Sequence, residues 1–407
     1  MTRAATLDYD AAVVGASVAG LRVAGLLAAA GRSVAVFDAR RALGHPERIW
    51  IVTRQIDPVL GFKPDEAVVH ETDVMRLASA GATRDVRLDP PDLIVERSKL
   101  LPLLARRAAT AGVALHTGQR VETFRATDGV IDLGVRTVGG CRTRRVRVRY
   151  LIGADGVRSD VASAFGSAAL PAVPIVQARV RLPGGWDPAV TAVWFEPETT
   201  SFFYWLIPEC DETGVAGLVA DRPRGSREAL DRFLGRHGLD PLDYQAAVIP
   251  LYRPGRRIAW RLGGGARVLL VGDAAGHVKV TTVGGVVSGL WGARAAASAL
   301  LSRRSYRRAV AGLHRELYVH HLIRRTMARF GVADYDRLLG VLDRPLERFL
   351  ARENRDTVAP NLLRLLAAQP RLLTIGLGAL LPGRPAAPRP AGPGRRTPSK
   401  YAPASGD

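Results

Sequence analysis

Three short stretches carry residues whose types and spacing could do chemistry. In "VVGASVAG", Gly15, Ser17 and Gly20 follow an apolar strand pattern and open a helical one. Gly15 permits a tight turn and Gly20 allows close helix–strand packing. The helix start leaves N–H groups free for a pyrophosphate. Ser17 stands where glycine is usual and adds a hydroxyl, with Ala19 beside it. Asp38 ends the next strand, "VAVFD", where a carboxylate accepts the two ribose hydroxyls of an adenosine and disfavours a 2′-phosphate. This turn therefore suits FAD or NAD rather than NADP.

In "VLLVGDAAGHVKVTTVGGVVSG" a later strand ends in Gly272-Asp273, and a helix begins near Gly284-Gly285-Val286. FAD is longer than one helix N-terminus can hold. Asp273 can take its ribityl and pyrophosphate region, and the second helix start can face the flavin pyrimidine edge, which is negative when reduced. FAD is thus the expected cofactor, held by Gly15, Ser17, Ala19, Gly20, Asp38, Gly272, Asp273, Gly284, Gly285 and Val286.

The third stretch is "FFYWLIP". Phe203, Tyr204 and Trp205 could wall an apolar tunnel, although alternating aromatics on a strand are also ordinary core. His45 and His277 are the candidate proton carriers, and His277, next to Gly276, has the better position. His277 and Trp205 are the catalytic candidates. No metal-ligand spacing occurs.

These residues need a scaffold. Strand, helix and strand over 8–38 read as a parallel βαβ unit, and "SKLLPLLARRAATA" as a helix ending before Gly112. "RYLIGADG" reads as another buried strand. Between 172 and 260 the texture changes to alternating, aromatic-rich strands, which predicts an antiparallel sheet. The fold class is α/β with an α+β substrate domain. Residues 1–54, 93–168 and 262–305 form a discontinuous, Rossmann-like FAD-binding domain, and residues 55–92 and 169–261 a β-rich substrate domain. Residues 306–381 form a helical region, and the Pro/Gly-rich segment 382–407 a disordered tail. The apolar stretch 361–381 reads first as a core helix and second as an amphipathic helix on a membrane surface.

Composition bounds the rest. The 407 residues carry a net charge of +20, mostly from scattered arginines, with no nucleic-acid motif beside them. Two cysteines, Cys141 and Cys210, cannot build a disulfide framework, and no signal region opens the chain. A cytoplasmic setting follows. With one complete dinucleotide turn, NAD(P)H or another electron donor would dock transiently.

"GASVAG…FDAR", "GADGVRSD" and "GDAAGHVKVTTVGG" together resemble the geranylgeranyl reductase family of FAD-dependent oxidoreductases, relatives of p-hydroxybenzoate hydroxylase and the flavin-dependent halogenases. The resemblance covers residues 8–381. It implies that Asp155 and Gly156 bind the cofactor, that Arg97 contacts FAD and that Val121 touches the adenine. "FYWLIP" is similar to the family's YxWxFP motif, which lines the substrate cavity; this adds Pro208 to Phe203, Tyr204 and Trp205. Similar reductases also carry a lysine at Lys279. Three departures stand out: no cysteine in "RRALGHPERIWIVTR", and Val280 and Val283 where the family has Pro and Gly. The resemblance implies reduction of isoprenoid double bonds by reduced flavin. A prenyl-lipid substrate would bring peripheral contact with a membrane. A monooxygenase or halogenase acting on an aromatic or polyketide substrate is the alternative, with Lys63 an unconvincing halogenase lysine. An electron-transfer flavoprotein serving a redox partner protein is the third reading.

Overall fold

The computed structural model describes residues 7–127, 129–221, 224–342, 346–347 and 355–380. The expected tail 382–407 lies outside these residues.

Two eight-stranded sheets dominate. The first runs Ala259–Arg261, Arg267–Leu270, Thr143–Gly153, Tyr9–Val14, Val34–Asp38, Ala114–Thr117, with strands Gln119–Thr127 and Val130–Thr137 joined to Thr143–Gly153. Its centre is parallel, with Val13 opposite Val36 on one side and Ile152 on the other. The strands are parallel because helix Val18–Ala29 carries the chain back between Tyr9–Val14 and Val34–Asp38. Val34–Asp38 is buried throughout, as its unbroken apolar run requires. Helix Val18–Ala29 packs against both Val286–Leu301 and Arg97–Thr110, so the helices that follow the two glycine turns share one core.

The second sheet runs Asp240–Pro250, Ala172–Arg181, Thr213–Val219, Tyr204–Pro208, Val190–Trp194, Val68–Ala78, Thr83–Glu96, Ile49–Val52. It is antiparallel except where Val190–Trp194 runs parallel to Val68–Ala78, a pairing that alternation alone cannot foresee. It also takes Ile49–Val52, paired with Leu93–Glu96, across the expected boundaries at 54 and 93. The first sheet takes Ala259–Arg261 in exchange. One face packs on helix Ser226–Arg236, through Tyr204, Leu206 and Leu218 against Leu230, Phe233 and Leu234.

Helix Ala311–Met327 bridges the two halves, with Leu317 against Val280 and Tyr252. The stretch expected as one core helix is two helices, Val358–Ala368 and Arg371–Leu380, separated at Gln369-Pro370. Proline cannot continue the first helix. No residue of Val358–Ala368 is buried, and Leu363 is 80% exposed, so these are surface helices. Among the described residues no helix is long and apolar enough to cross a membrane.

Candidate functional site

A cavity of about 950 Å³ opens between the sheets and runs from the first glycine turn to the aromatic strand. At one end Gly15 adopts φ +100°, and a Cβ there would lie 2.4 Å from the Ala154 carbonyl oxygen. Only glycine fits. A Cβ on Gly20 would meet the Gly15 carbonyl oxygen at 2.2 Å; Gly20 sits behind the loop and shapes it, without lining the cavity. Ser17 caps the helix, its Oγ accepting the Gly20 N–H at 3.1 Å. Ala19 lines the cavity and packs on Gly272.

Asp38 is buried, and burial alone would raise its pKa. Hydrogen bonds from Arg40 and from the Ala16 N–H, at 2.8 Å, reverse this and hold it below the usual carboxylate range. Arg97, at the start of its helix, donates to the Pro46 carbonyl at 3.3 Å and lines the cavity. Burial, with the charges of Arg40 and Arg48, pushes it down to about 10. A cation so disfavoured is relieved by a bound phosphate. Val121 lines the same end. Asp155 and Gly156 line it too, but the Asp155 carboxylate turns inward and accepts Ser159 Oγ at 2.5 Å and the Val161 N–H at 3.1 Å.

In the second turn, Gly272, Asp273, Gly284, Gly285 and Val286 all line the cavity. The helix starting at Val286 has no side-chain cap, so its first N–H groups remain available. Burial pushes Asp273 up to about 6. A Cβ on Gly285 would approach Asp273 Oδ1 to 3.1 Å, so the carboxylate and the open helix end are neighbours. These features fit a dinucleotide whose flavin end is gripped here: glycine cradles, an open helix start and a phosphate-seeking arginine. Val283 holds φ +47°, a strained geometry for a β-branched residue, and packs against the buried cluster that contains Trp205.

Two expectations fail. His277 does not line the cavity. It is wholly buried behind the flavin loop, beside Gly292 and 5.7 Å from the His314 ring, and neither ring nitrogen has a partner. Burial, then His314 and Arg256, push it down to about 3, so it is a neutral core residue. Strand alternation divides the aromatic motif. Phe203, Trp205 and Ile207 face the cavity, whereas Tyr204 stacks on Phe233 on the far side and Pro208 is buried outside the lining. Trp205 lies over Gly217, where a Cβ would clash at 2.4 Å. His45 and Lys63 are exposed and do not line the cavity.

The sequence reading missed a polar patch on the same cavity. Lys279 pairs with Asp356, which also accepts from Thr53, and Arg355 pairs with Asp92; all of these carboxylates are buried. Burial would raise Asp356, but Lys279, Thr53 and Arg355 together more than offset it. These partners lie far apart in sequence and share no motif, so no local signal could have joined them.

The FAD binding domain family model matches residues 8–314. Digeranylgeranylglycerophospholipid reductase 2 of Methanothermobacter thermautotrophicus is 28% identical over 311 residues, covering 69% of this chain and 74% of that protein. Geranylgeranyl diphosphate reductase of Rhodobacter capsulatus is 28% identical over 309 residues, covering 73% and 76%. The solved structure of a geranylgeranyl bacteriochlorophyll reductase-like protein from Thermoplasma acidophilum superposes with a TM-score of 0.74 at 18% identity, covering 91% of this chain and 99% of that one. The chain belongs to the FAD binding domain family and is an FAD-dependent oxidoreductase similar to the geranylgeranyl reductases.

Proposed function

We propose that this flavoprotein saturates carbon–carbon double bonds of a prenyl chain carried by a lipid or diphosphate. One observation carries the reading: the cofactor end of the cavity continues into an apolar chamber walled by Met75, Leu77, Val193, Phe203, Trp205 and Ile207. Such a wall excludes water and orients an alkene by shape alone, since a prenyl chain offers no hydrogen bonds. The names of the curated relatives support the same substrate class.

FAD, when bound and reduced, supplies the hydride. The chain's own residues bind and orient it. The helix start after Gly15, together with Arg97, would hold the pyrophosphate, and Asp38 the adenosine ribose. Asp273 and the helix start at Val286 would hold the flavin end. Trp205, packed on Gly217 and edge-on to Phe203, would fix the chamber's width. NAD(P)H or a redox partner protein would deliver electrons transiently. Leu363, Leu373 and Leu377 are exposed beside Arg364 and Arg371, which suits peripheral contact with an anionic membrane that holds the substrate.

The test is anaerobic single turnover. FAD-loaded protein is reduced with dithionite and mixed with a geranylgeranyl-chain phospholipid. Reoxidation of the flavin with a product two mass units heavier per double bond is the expected result. A reduced enzyme that ignores the lipid but, given oxygen, hydroxylates or halogenates an aromatic probe would overturn the reading.

A further inference from the structure

The flavin-loop wall carries a hydroxyl backed by two buried titratable groups. Thr281 Oγ1 lies 2.6 Å from His320 Nδ1. His320 Nε2 faces Glu316 Oε1 at 3.3 Å, one turn earlier on helix Ala311–Met327. His320 is 3% and Glu316 8% exposed, whereas Thr281 lines the cavity. Glu316 is itself fixed: Oε1 accepts the Val358 N–H at 2.5 Å and Oε2 the Ala359 N–H at 2.8 Å. Those N–H groups open helix Val358–Ala368 and need an acceptor. Hydroxyl, imidazole and carboxylate thus come from the flavin loop and the bridging helix, and a third segment locks the carboxylate. Glu316 lies within ion-pair distance of Nε2 without an aligned hydrogen bond to it, and its negative charge favours a proton on that nitrogen, which leaves Nδ1 to exchange with the hydroxyl.

We propose that Thr281, His320 and Glu316 form a proton relay into the substrate chamber, with Thr281 the catalytic residue and the other two positioning residues. The proposal rests on the reductase reading. Saturating a double bond breaks one π pair and forms two C–H bonds. The hydride comes from reduced flavin, which is oxidised, and the proton comes from Thr281 Oγ–H. Thr281 regains a proton from Nδ1 of protonated His320, leaving a neutral imidazole with its Nε2–H toward Glu316. Solvent recharges His320 between turnovers. Lys279, two residues before Thr281, is committed to Asp356, so its ammonium already has a buried counter-charge.

The experiment uses the full, FAD-loaded chain, reduced anaerobically and mixed with a geranylgeranyl-chain phospholipid in D₂O. Wild type should carry solvent deuterium at both carbons of each saturated bond, because the N5 hydrogen of reduced flavin also exchanges with solvent. T281V should slow single turnover about 100-fold, the scale of general acid catalysis, with FAD retention and half-saturating lipid unchanged. T281S should recover to within about threefold, and E316Q should lose about tenfold. A second readout needs no turnover. In ¹⁵N-histidine-labelled protein, with His320 assigned by H320Q, neutral His320 should be the Nε2–H tautomer, and E316Q should shift it toward Nδ1–H. A T281V rate equal to wild type, or an Nδ1–H tautomer in wild type, overturns the relay. A wild type whose reduced flavin ignores the lipid overturns the reductase reading instead, and the tautomer still tests the relay.

Discussion

Around the first glycine turn the polar side chains are already engaged: Ser17 caps its helix, and both Asp38 oxygens accept hydrogen bonds. Around the second, the helix start has no side-chain cap, burial holds Asp273 up, and Val283 keeps a strained backbone. The first turn is a rigid cradle set by backbone contacts. The second holds its geometry against electrostatic and conformational cost, as functional loops do. A nucleotide needs a fixed shape at one end, while chemistry needs unmet charge and open donors at the other.

The largest effect should come from breaking the cradle. In Gly15→Ala the new Cβ meets backbone at 2.4 Å from a φ of +100°, and neither neighbour can yield cheaply. We expect loss of bound FAD and about 3 kcal/mol or more of stability. Gly285→Ala, whose Cβ meets Asp273 Oδ1 and Val278 at 3.1 Å, should lose about 1 kcal/mol and keep FAD. Flavin absorbance after gel filtration and thermal melts check both. Equal losses in the two variants would erase the contrast.

The next effect is titration, which the second turn should show on its own. His277 is pushed down to about 3 in the fold against about 6.5 unfolded. Between those values the unfolded chain binds the extra proton, so stability falls as pH drops, by about 1.4 kcal/mol per unit. Asp273, up at about 6, acts oppositely: the fold holds its proton longer, so the apoprotein loses stability as pH rises from about 4 to about 6. His277→Leu removes no hydrogen bond, because neither ring nitrogen has a partner. Melting the variant and its parent from pH 7 to pH 4 should show the parent falling more steeply; parallel curves would mean His277 is not buried neutral.

The first turn was legible from the sequence because its constraints are local. Gly15, Ser17, Gly20 and Asp38 act within one βαβ unit, where strand, turn and helix follow in order. The paired strands Val13 and Val36 follow from the same unit. Along the aromatic motif the residue types were readable but not the facing: alternation puts Trp205 in the cavity and Tyr204 against Phe233. His277 misled because it adjoins the flavin loop in sequence, while its ring packs away from the cavity onto Gly292. Asp356, Thr53 and Lys279 meet only after both sheets and the bridging helix have assembled, so no spacing encodes them.

The smallest effect sharpens the comparison most. Val283 keeps a positive φ that glycine would adopt freely. Its side chain offsets part of that cost by packing against the buried cluster of Val173, Phe202, Trp205 and Val219. Val283→Ala loses the packing and keeps the strain, so it should destabilise by about 1–2 kcal/mol. Val283→Gly loses the packing and also the strain, so it should stay within about 1 kcal/mol of the parent. Glycine outranking alanine inverts the usual order outside turns. Thermal melts of the two variants decide it. If alanine is the more stable, the loop relaxes to negative φ, and the second turn stores no strain for the flavin end to use.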